Sequence, residues 1–387
     1  MLSLTSLSFA HPLVSSDYRS RLFLSEDGLD SAHSRLLSMG LPAFLLSTCL
    51  RVEVVWDGDE EATNEVMSCL YGDGSLSDLA VTRRDEAAFL HLCRIAAGLE
   101  SPLIGEPEVL GQFRRAVSAY QVVRPSSGML GKVLDAAVGI GRAVRRNLDD
   151  SPNGSLGGVA AGAAASFPKV AILGAGTMAR AAAQLLPTGV VKVYARRAGQ
   201  VAGHDTHPWE AAIEALASYP VLISTVPGRS PLFPDAVVEA SLASRSKPLL
   251  VIDLGMPPGF IRHREHGAIR YMGIDDVASS VVARPLPDAE EQLVSGASAA
   301  WLRLTSSERV GSVIAAMVGQ AERAVDEEVQ RFVRRLPGAV DPEPILRQLA
   351  HTVARRVLHA PISYVGSTER GRAAVELLAE AFGVEDD

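Results

Sequence analysis

Cysteine is scarce in this chain: three thiols, Cys49, Cys69 and Cys93, in 387 residues. An odd count without paired metal-ligand spacings argues against a disulfide framework and a zinc site, and points to reduced thiols in the cytoplasm. Long apolar runs are missing too. The most apolar-looking stretch, residues 157–165, is Gly/Ala-rich and falls short of the ~20 residues that carry a helix across a bilayer. The first fourteen residues hold no Lys or Arg and are interrupted by Ser, Thr, His and Pro, so no secretory signal is expected. Positive charge is outnumbered, 37 Lys and Arg against 45 Asp and Glu, for a net charge of −8. That balance argues against a general affinity for the nucleic-acid backbone. An RNA partner would need a local basic face, with Lys132, Arg142, Arg145 and Arg146 as candidates.

What is present is a globular composition, 47% apolar and 21% charged, and at ~150 residues per domain the length predicts two or three domains. Residues 1–150 read as an α+β segment. Ala43 to Leu46 is a buried strand, Val52 to Trp56 a second one, and Asp85 to Ala97 and Glu108 to Tyr120 have helical spacing. Ser151-Pro152-Asn153-Gly154 marks a hinge. Residues 151–286 then alternate strands (Lys169 to Leu173, Val190 to Ala195, Val221 to Thr225, Leu249 to Leu254) with helical stretches, which predicts a parallel sheet covered on both faces. Residues 287–387 are helical. One stripe there runs Ala289, Leu293, Ala297, Ala300, Leu304; another runs Val310, Ile314, Met317, Ala321, Val325, Val329, Phe332, Leu336. Both are expected to serve a helical dimerisation region.

Gly174-Ala175-Gly176-Thr177-Met178-Ala179 follows a strand and opens a helix. In a Gly-x-Gly-x-x-Gly/Ala turn the first glycine allows the tight bend, the second lets backbone approach a pyrophosphate, and the small third residue packs helix on strand. Phosphate then meets the free N–H groups of the helix start. About 20 residues on, where NAD-specific folds place a carboxylate, stand Arg196 and Arg197. A guanidinium binds a 2′-phosphate through paired charged hydrogen bonds, so NADPH is expected over NADH, the alternative being two solvated surface arginines.

Cys49 ends an apolar strand between Thr48 and Arg51. A nearby cation lowers a thiol's pKa from ~8.5 and favours the nucleophilic thiolate, so Cys49 is the candidate nucleophile and Cys69 and Cys93 are core residues. His91 lies on a helix ahead of a polar loop carrying Ser101, Glu106 and Gln112. It is either structural or a proton-transfer and orienting group.

These residues resemble the glutamyl-tRNA reductase family. Ser47-Thr48-Cys49-Leu50-Arg51 resembles its Ser-Thr-Cys-Asn-Arg motif, and the run from Gly98-Leu99-Glu100-Ser101 through Gly105-Glu106-Pro107 to Leu110-Gly111-Gln112 resembles its long signature. Ile223-Ser224-Thr225, Val251-Ile252-Asp253-Leu254, Ile274-Asp275-Asp276 and Leu358-His359-Ala360-Pro361 fit in family order, so the resemblance spans nearly the whole chain. It implies an α/β multidomain protein: an N-terminal α+β catalytic domain, a central Rossmann-like NADPH domain and a C-terminal all-helical dimerisation domain on a spinal helix, in a V-shaped homodimer.

The implied activity is reduction of glutamyl-tRNA to glutamate-1-semialdehyde through a cysteine thioester, the first step towards tetrapyrroles. By matching position Cys49 attacks, and Arg51 pairs with the substrate's side-chain carboxylate. Thr48, Ser101, Glu106 and Gln112 bind substrate, and His91 assists proton transfer. The turn, with Arg196, Arg197, Ser224 and Thr225, holds NADPH, and an aminomutase is a possible partner. Leu50 stands for the motif's asparagine, and Ala160-Ala161 for usual serines. Three alternatives stay open: a paralogue reducing another aminoacyl-tRNA, such as glycyl-tRNA to aminoacetaldehyde, an idle NADPH-binding scaffold, and a shikimate-type dehydrogenase.

Overall fold

The computed structural model describes residues 2–124, 128–148, 154–187, 189–228, 230–282, 285–334, 341–367 and 374–375. The expected hinge residues Ser151, Pro152 and Asn153 lie outside the described residues, as does Leu336. The chain divides into two compact units, Leu2–Thr305 and Ser306–Asp387. No helix among the described residues is long and apolar enough to cross a membrane.

The first unit opens with a four-stranded antiparallel sheet, β1 (Leu4–Ala10), β2 (Ala43–Ser47), β3 (Arg51–Asp57) and β4 (Val81–Arg84), in the order β2-β3-β1-β4. Helices α1 (Ser16–Leu22), α2 (Glu26–Ser38) and α3 (Thr63–Tyr71) belong to one face, and α4 (Asp85–Ala97), α5 (Pro107–Val123) and α6 (Gly128–Arg145) to the other. Because both faces are covered, strand residues of both parities are buried. Leu7, Phe9, Val52, Val54 and Trp56 join Leu36 and Met67 in one core, while Leu4, Phe44, Leu46 and Val55 join Phe89, Phe113 and Leu134 in the other. The two-residue period therefore turns Arg51 and Glu53 to the same side as Val55, towards α4.

After α7 (Leu156–Ala164) comes a second sheet: β5 (Val170–Leu173), α8 (Thr177–Leu185), β6 (Val191–Ala195), β7 (Gln200–Val201), β8 (His204–Pro208), α9 (Ile213–Ser218), β9 (Val221–Ser224), α10 (Asp235–Ala243), β10 (Leu249–Asp253), β11 (Ile269–Gly273) and α11 (Ile274–Ser279). Its order is β11-β10-β9-β5-β6-β8-β7, parallel except for the β7–β8 ribbon. From β5 the strands are added first outward on one side (β6, β8) and then on the other (β9, β10, β11), so the strand order reverses between the parallel neighbours β5 and β9, and the crevice at their carboxyl ends is where doubly wound sheets bind ligands. β8 reads His-Asp-Thr-His-Pro and was invisible to an apolar pattern, because it lies near the sheet edge, partly exposed.

Helix α12 (Pro287–Val333) changes one expectation. Ala289, Leu293, Ala297 and Ala300 are not a dimer seam. They are buried in the core with Phe89, Leu92 and Leu134, and Trp301 stacks on Phe89 with ring centres 5.7 Å apart. The stripe shares that cluster with side chains of α4 and α6. In the second unit, α12 and α13 (Glu343–Ser367) are linked by the buried Glu328 carboxylate, which takes a hydrogen bond from Arg356 at 2.7 Å. Ile314, Met317, Val325 and Val329 stay exposed.

Candidate active site

Cys49 sits at the tip of the β2–β3 hairpin. Thr48 closes that turn: its N–H donates to the Arg51 carbonyl at 2.8 Å, and its hydroxyl accepts from the Arg51 N–H at 3.2 Å. The buried Arg19 guanidinium of α1 reaches the Cys49 carbonyl at 3.3 Å and the Asp275 carboxylate of α11 at 2.6 Å. Asp275 also takes the Ser16 N–H at 2.6 Å and lies 3.3 Å from the His11 ring. Burial works against the Asp275 charge, but Arg19 and Ser16 hold its carboxyl below the usual range. The Cys49 loop is thereby tied, through Arg19, to the helix that ends the parallel sheet.

The hairpin tip faces the same neighbour through apolar contact. Leu50 is buried in one cluster with Leu156, Ala160, Ala161, Met256 and Ile274, against which Cys49 and Leu103 also pack. Both departures from the family motifs, Leu50 and the Ala160-Ala161 pair, thus lie in one apolar seam between the two sheets' domains. Cys49 itself is partly exposed. Burial pushes its thiol up to about 12, with Glu106 adding to the rise and Arg19 opposing it. This corrects the expectation that Arg51 lowers it.

Arg51 points elsewhere. Its guanidinium donates to Glu53 at 3.1 Å and to the Glu100 backbone carbonyl, and only 5% of the residue is exposed. Glu53, fully buried, also accepts from the Ser8 hydroxyl at 3.0 Å and meets His91 Nε2 at 3.1 Å. On its other side His91 lies 3.8 Å from Glu100, whose carboxylate takes a 2.6 Å hydrogen bond from Arg94. Burial opposes charge on Glu53 and on His91, yet their contact prevails, lowering the carboxyl and raising the imidazole. Charges alternate along Arg51, Glu53, His91 and Glu100, and removing one member of such a buried chain typically costs ~3–5 kcal/mol. Glu53 was missed from sequence, though its two-residue spacing from Arg51 was the available signal.

The polar loop before α5 is pinned by Arg145, which donates to the carbonyls of Gly105 at 3.1 Å and Glu106 at 2.8 Å. Arg145 therefore turns inward, while Lys132, Arg142 and Arg146 are exposed. Gly105 takes φ +80°, a conformation that favours glycine, and its N–H returns to Gly98 O at 3.1 Å. The folded loop brings the Ser101 hydroxyl to 3.2 Å from the Glu106 carboxylate. Burial pushes Glu106 up to about 7, with the Ser101 hydrogen bond, Arg145 and Arg51 opposing and Glu108 adding. Gln112, one turn and a half along α5, lines a separate cleft with Ser47 and Arg115.

At the β5/β9 crevice Gly174 has φ +110°, and a Cβ there would lie 2.4 Å from the Thr225 hydroxyl, so no other residue fits without a shift. Thr225 donates its N–H and hydroxyl to the Leu173 carbonyl at 3.0 and 2.9 Å, joining the two strand ends. Gly176 caps α8 with open space around its Cβ position; Ala175 and Met178 are half-buried, Thr177 is exposed, and Ala179 packs inside. The Ser224 hydroxyl is buried at the strand end with no partner among the described residues. Arg196 and Arg197 are exposed after β6, the Arg196 guanidinium 5.9 Å from the centre of the Trp209 ring. A ligand with a diphosphate and a second phosphate suits this cradle: bare glycine backbone, an unpaired hydroxyl and two cations without a carboxylate in the family position.

A doubly wound sheet with a glycine turn at its switch point defines a nicotinamide-dinucleotide oxidoreductase class, and residues 161–280 match the shikimate/quinate 5-dehydrogenase family model. Residues 7–148 match the N-terminal domain and residues 289–384 the dimerisation domain of glutamyl-tRNA reductase. The Pseudomonas putida glutamyl-tRNA reductase is 31% identical over 93% of this chain and 92% of its own, and the Pseudomonas aeruginosa one is 28% identical over 100% and 99%. The solved glutamyl-tRNA reductase from Methanopyrus kandleri aligns over 99% of this chain and 100% of that one, at 21% identity and a TM-score of 0.49. The chain belongs to the glutamyl-tRNA reductase family.

Proposed function

We propose that this protein is a cytoplasmic, homodimeric, NADPH-dependent reductase that converts glutamyl-tRNA to glutamate-1-semialdehyde, the first step of tetrapyrrole synthesis. The observation that carries this reading is Cys49 at a hairpin tip, packed on the apolar cluster of the nucleotide-binding domain, with the charge of Glu106 acting on its thiol. Leu50 supports glutamate over another amino acid in one respect: it is spent on the seam between domains, leaving Thr48, Ser101 and Arg51 as in the family motif. The exposed Ile314, Met317, Val325 and Val329 face supports a second copy as partner.

In the mechanism, the Cys49 thiol loses its proton to Glu106 and its sulfur attacks the ester carbonyl. The S–C bond forms, the C–O bond to the terminal ribose breaks, and the proton passes from Glu106 to the departing oxygen. Thr48 and Ser101 hold the substrate's polar groups. Arg51, held by Glu53 and the Glu100 carbonyl, is the cation we assign to the substrate's side-chain carboxylate. His91 acts through Glu53, as a positioning residue. Gly174, Gly176, Ser224, Thr225, Arg196 and Arg197 would hold NADPH, which would supply a hydride to the thioester carbonyl, the C–S bond then breaking with Cys49 leaving as thiolate. The aldehyde is reactive, and the aminomutase that consumes it is a partner we expect to dock.

The test is incubation of the purified dimer with NADPH and several charged tRNAs, trapping aldehydes. Semialdehyde from glutamyl-tRNA alone is the expected result; reduction of another charged tRNA instead would hand the site to a paralogue reading. Cofactor choice is a second measurement. Replacing Arg196 and Arg197 together by Ala should raise KM for NADPH by roughly 10- to 100-fold and leave NADH little changed, since paired charged hydrogen bonds to the 2′-phosphate are lost. Equal wild-type efficiency with both cofactors would remove that role.

A further inference from the structure

A cleft of about 590 Å³ opens beside the Cys49 hairpin, between α2 and α5. It shares no lining residue with the nucleotide crevice. Ser47, the last residue of β2, lies on its wall and precedes Cys49 by two positions, a chain distance of roughly 7 Å at most. Leu46 and Ala116 give it a buried apolar floor, Phe23 an aromatic edge, Asp27 and Asp30 an acidic rim, and Arg115 a cation.

We propose that this cleft receives the 3′-terminal adenosine of the charged tRNA. The inference rests on the glutamyl-tRNA reading above and names where its leaving group sits. Attack needs the ester carbonyl ~3–3.5 Å from sulfur, so the ribose whose oxygen departs lies against Cys49, and its base fills whatever space adjoins the hairpin. The cavity is within the ~300–1,000 Å³ range of small-molecule sites and is large enough for a nucleoside. An unpaired terminal base is recognised by stacking on an aromatic or apolar surface and by hydrogen bonds on its edge. The carboxylates on α2 accept from the exocyclic amine and the ribose hydroxyl, and Arg115 pairs with the one phosphate that follows. The same carboxylates repel the glutamyl side chain and the phosphodiester backbone, so the uncharged nucleoside is the part of the substrate that fits.

The dinucleotide cytidylyl-adenosine tests this on the wild-type dimer at saturating NADPH. It should raise KM for glutamyl-tRNA at least fivefold at millimolar concentration with kcat unchanged, and tRNA ending in 8-azidoadenosine should crosslink to peptides covering residues 23–30 or 112–119. Ala119→Trp, which fills the cleft, should raise KM for glutamyl-tRNA at least tenfold and abolish inhibition by the dinucleotide, with NADPH affinity reporting an intact fold. Absence of competition together with crosslinks elsewhere would overturn the assignment, as would an Ala119→Trp KM within twofold of wild type. Wild-type turnover of glutamyl-tRNA is the separate check on the functional reading, since the crosslink requires binding and no reduction.

Discussion

Cys49→Ser is expected to lower NADPH-dependent reduction of glutamyl-tRNA by at least about 10³-fold, with NADPH affinity and thermal midpoint unchanged. A serine hydroxyl is a far weaker nucleophile than a thiol, and any ester it formed would resist hydride as the original ester does. A thioester accepts hydride more readily because sulfur stabilises the carbonyl poorly and thiolate leaves easily. The substitution alters little packing: Cys49 is only partly buried, and its contact with Arg19 runs through the backbone carbonyl, which serine keeps. Single-turnover kinetics with labelled glutamyl-tRNA should show no acid-stable acyl-enzyme in the variant. Turnover within tenfold of wild type would rule out the thioester route.

Glu106→Gln should slow acyl transfer by about 10²–10⁴-fold near neutral pH and change the shape of its pH dependence. The thiol, pushed up to about 12, is almost entirely protonated at neutral pH, so attack needs a base. Burial pushes Glu106 up to about 7, with Ser101 bonded to it, the charges of Glu108, Arg145 and Arg51 acting on it, and its own charge acting on the Cys49 thiol. Its working form is the carboxylate, so wild-type acylation should rise through about 7 and level off above it. Without that carboxylate the rate follows direct thiol ionisation and climbs about tenfold per pH unit across the neutral range. Glu106→Asp, which keeps the base on a shorter arm, should recover part of the rate and the plateau. Identical profiles for wild type and Glu106→Gln would reassign Glu106 to substrate binding alone.

The nucleotide crevice was legible because its chemistry is local. Gly174 and Gly176 follow a strand and start a helix within six residues, and the φ of +110° at Gly174 is a property that one residue type announces. The environment of Cys49 was not legible, since it depends on what long-range contacts bring near the thiol. Arg51 is two residues away in sequence, but strand periodicity turns it inward to Glu53, and the cation that touches the cysteine's loop is Arg19, thirty residues back. Burial then sets the thiol's acidity, and burial is a sum over both domains.

The same division explains the helical stripes. Spacing of three and four showed that Ala289 to Ala300 forms an apolar face, and it could not say which surface would cover it. In the fold that face joins the core formed by α4 and α6. By itself the sequence determined the alternation of strands and helices around the dinucleotide turn, the turn itself and the family, because each is written in contiguous residues whose local chemistry suffices. Only the tertiary structure decided which charges meet, that Leu50 and Ala160-Ala161 share a seam, and that Asp275 holds the cysteine's loop. Those outcomes depend on side chains that lie far apart along the chain and share a low-dielectric interior only after it has folded.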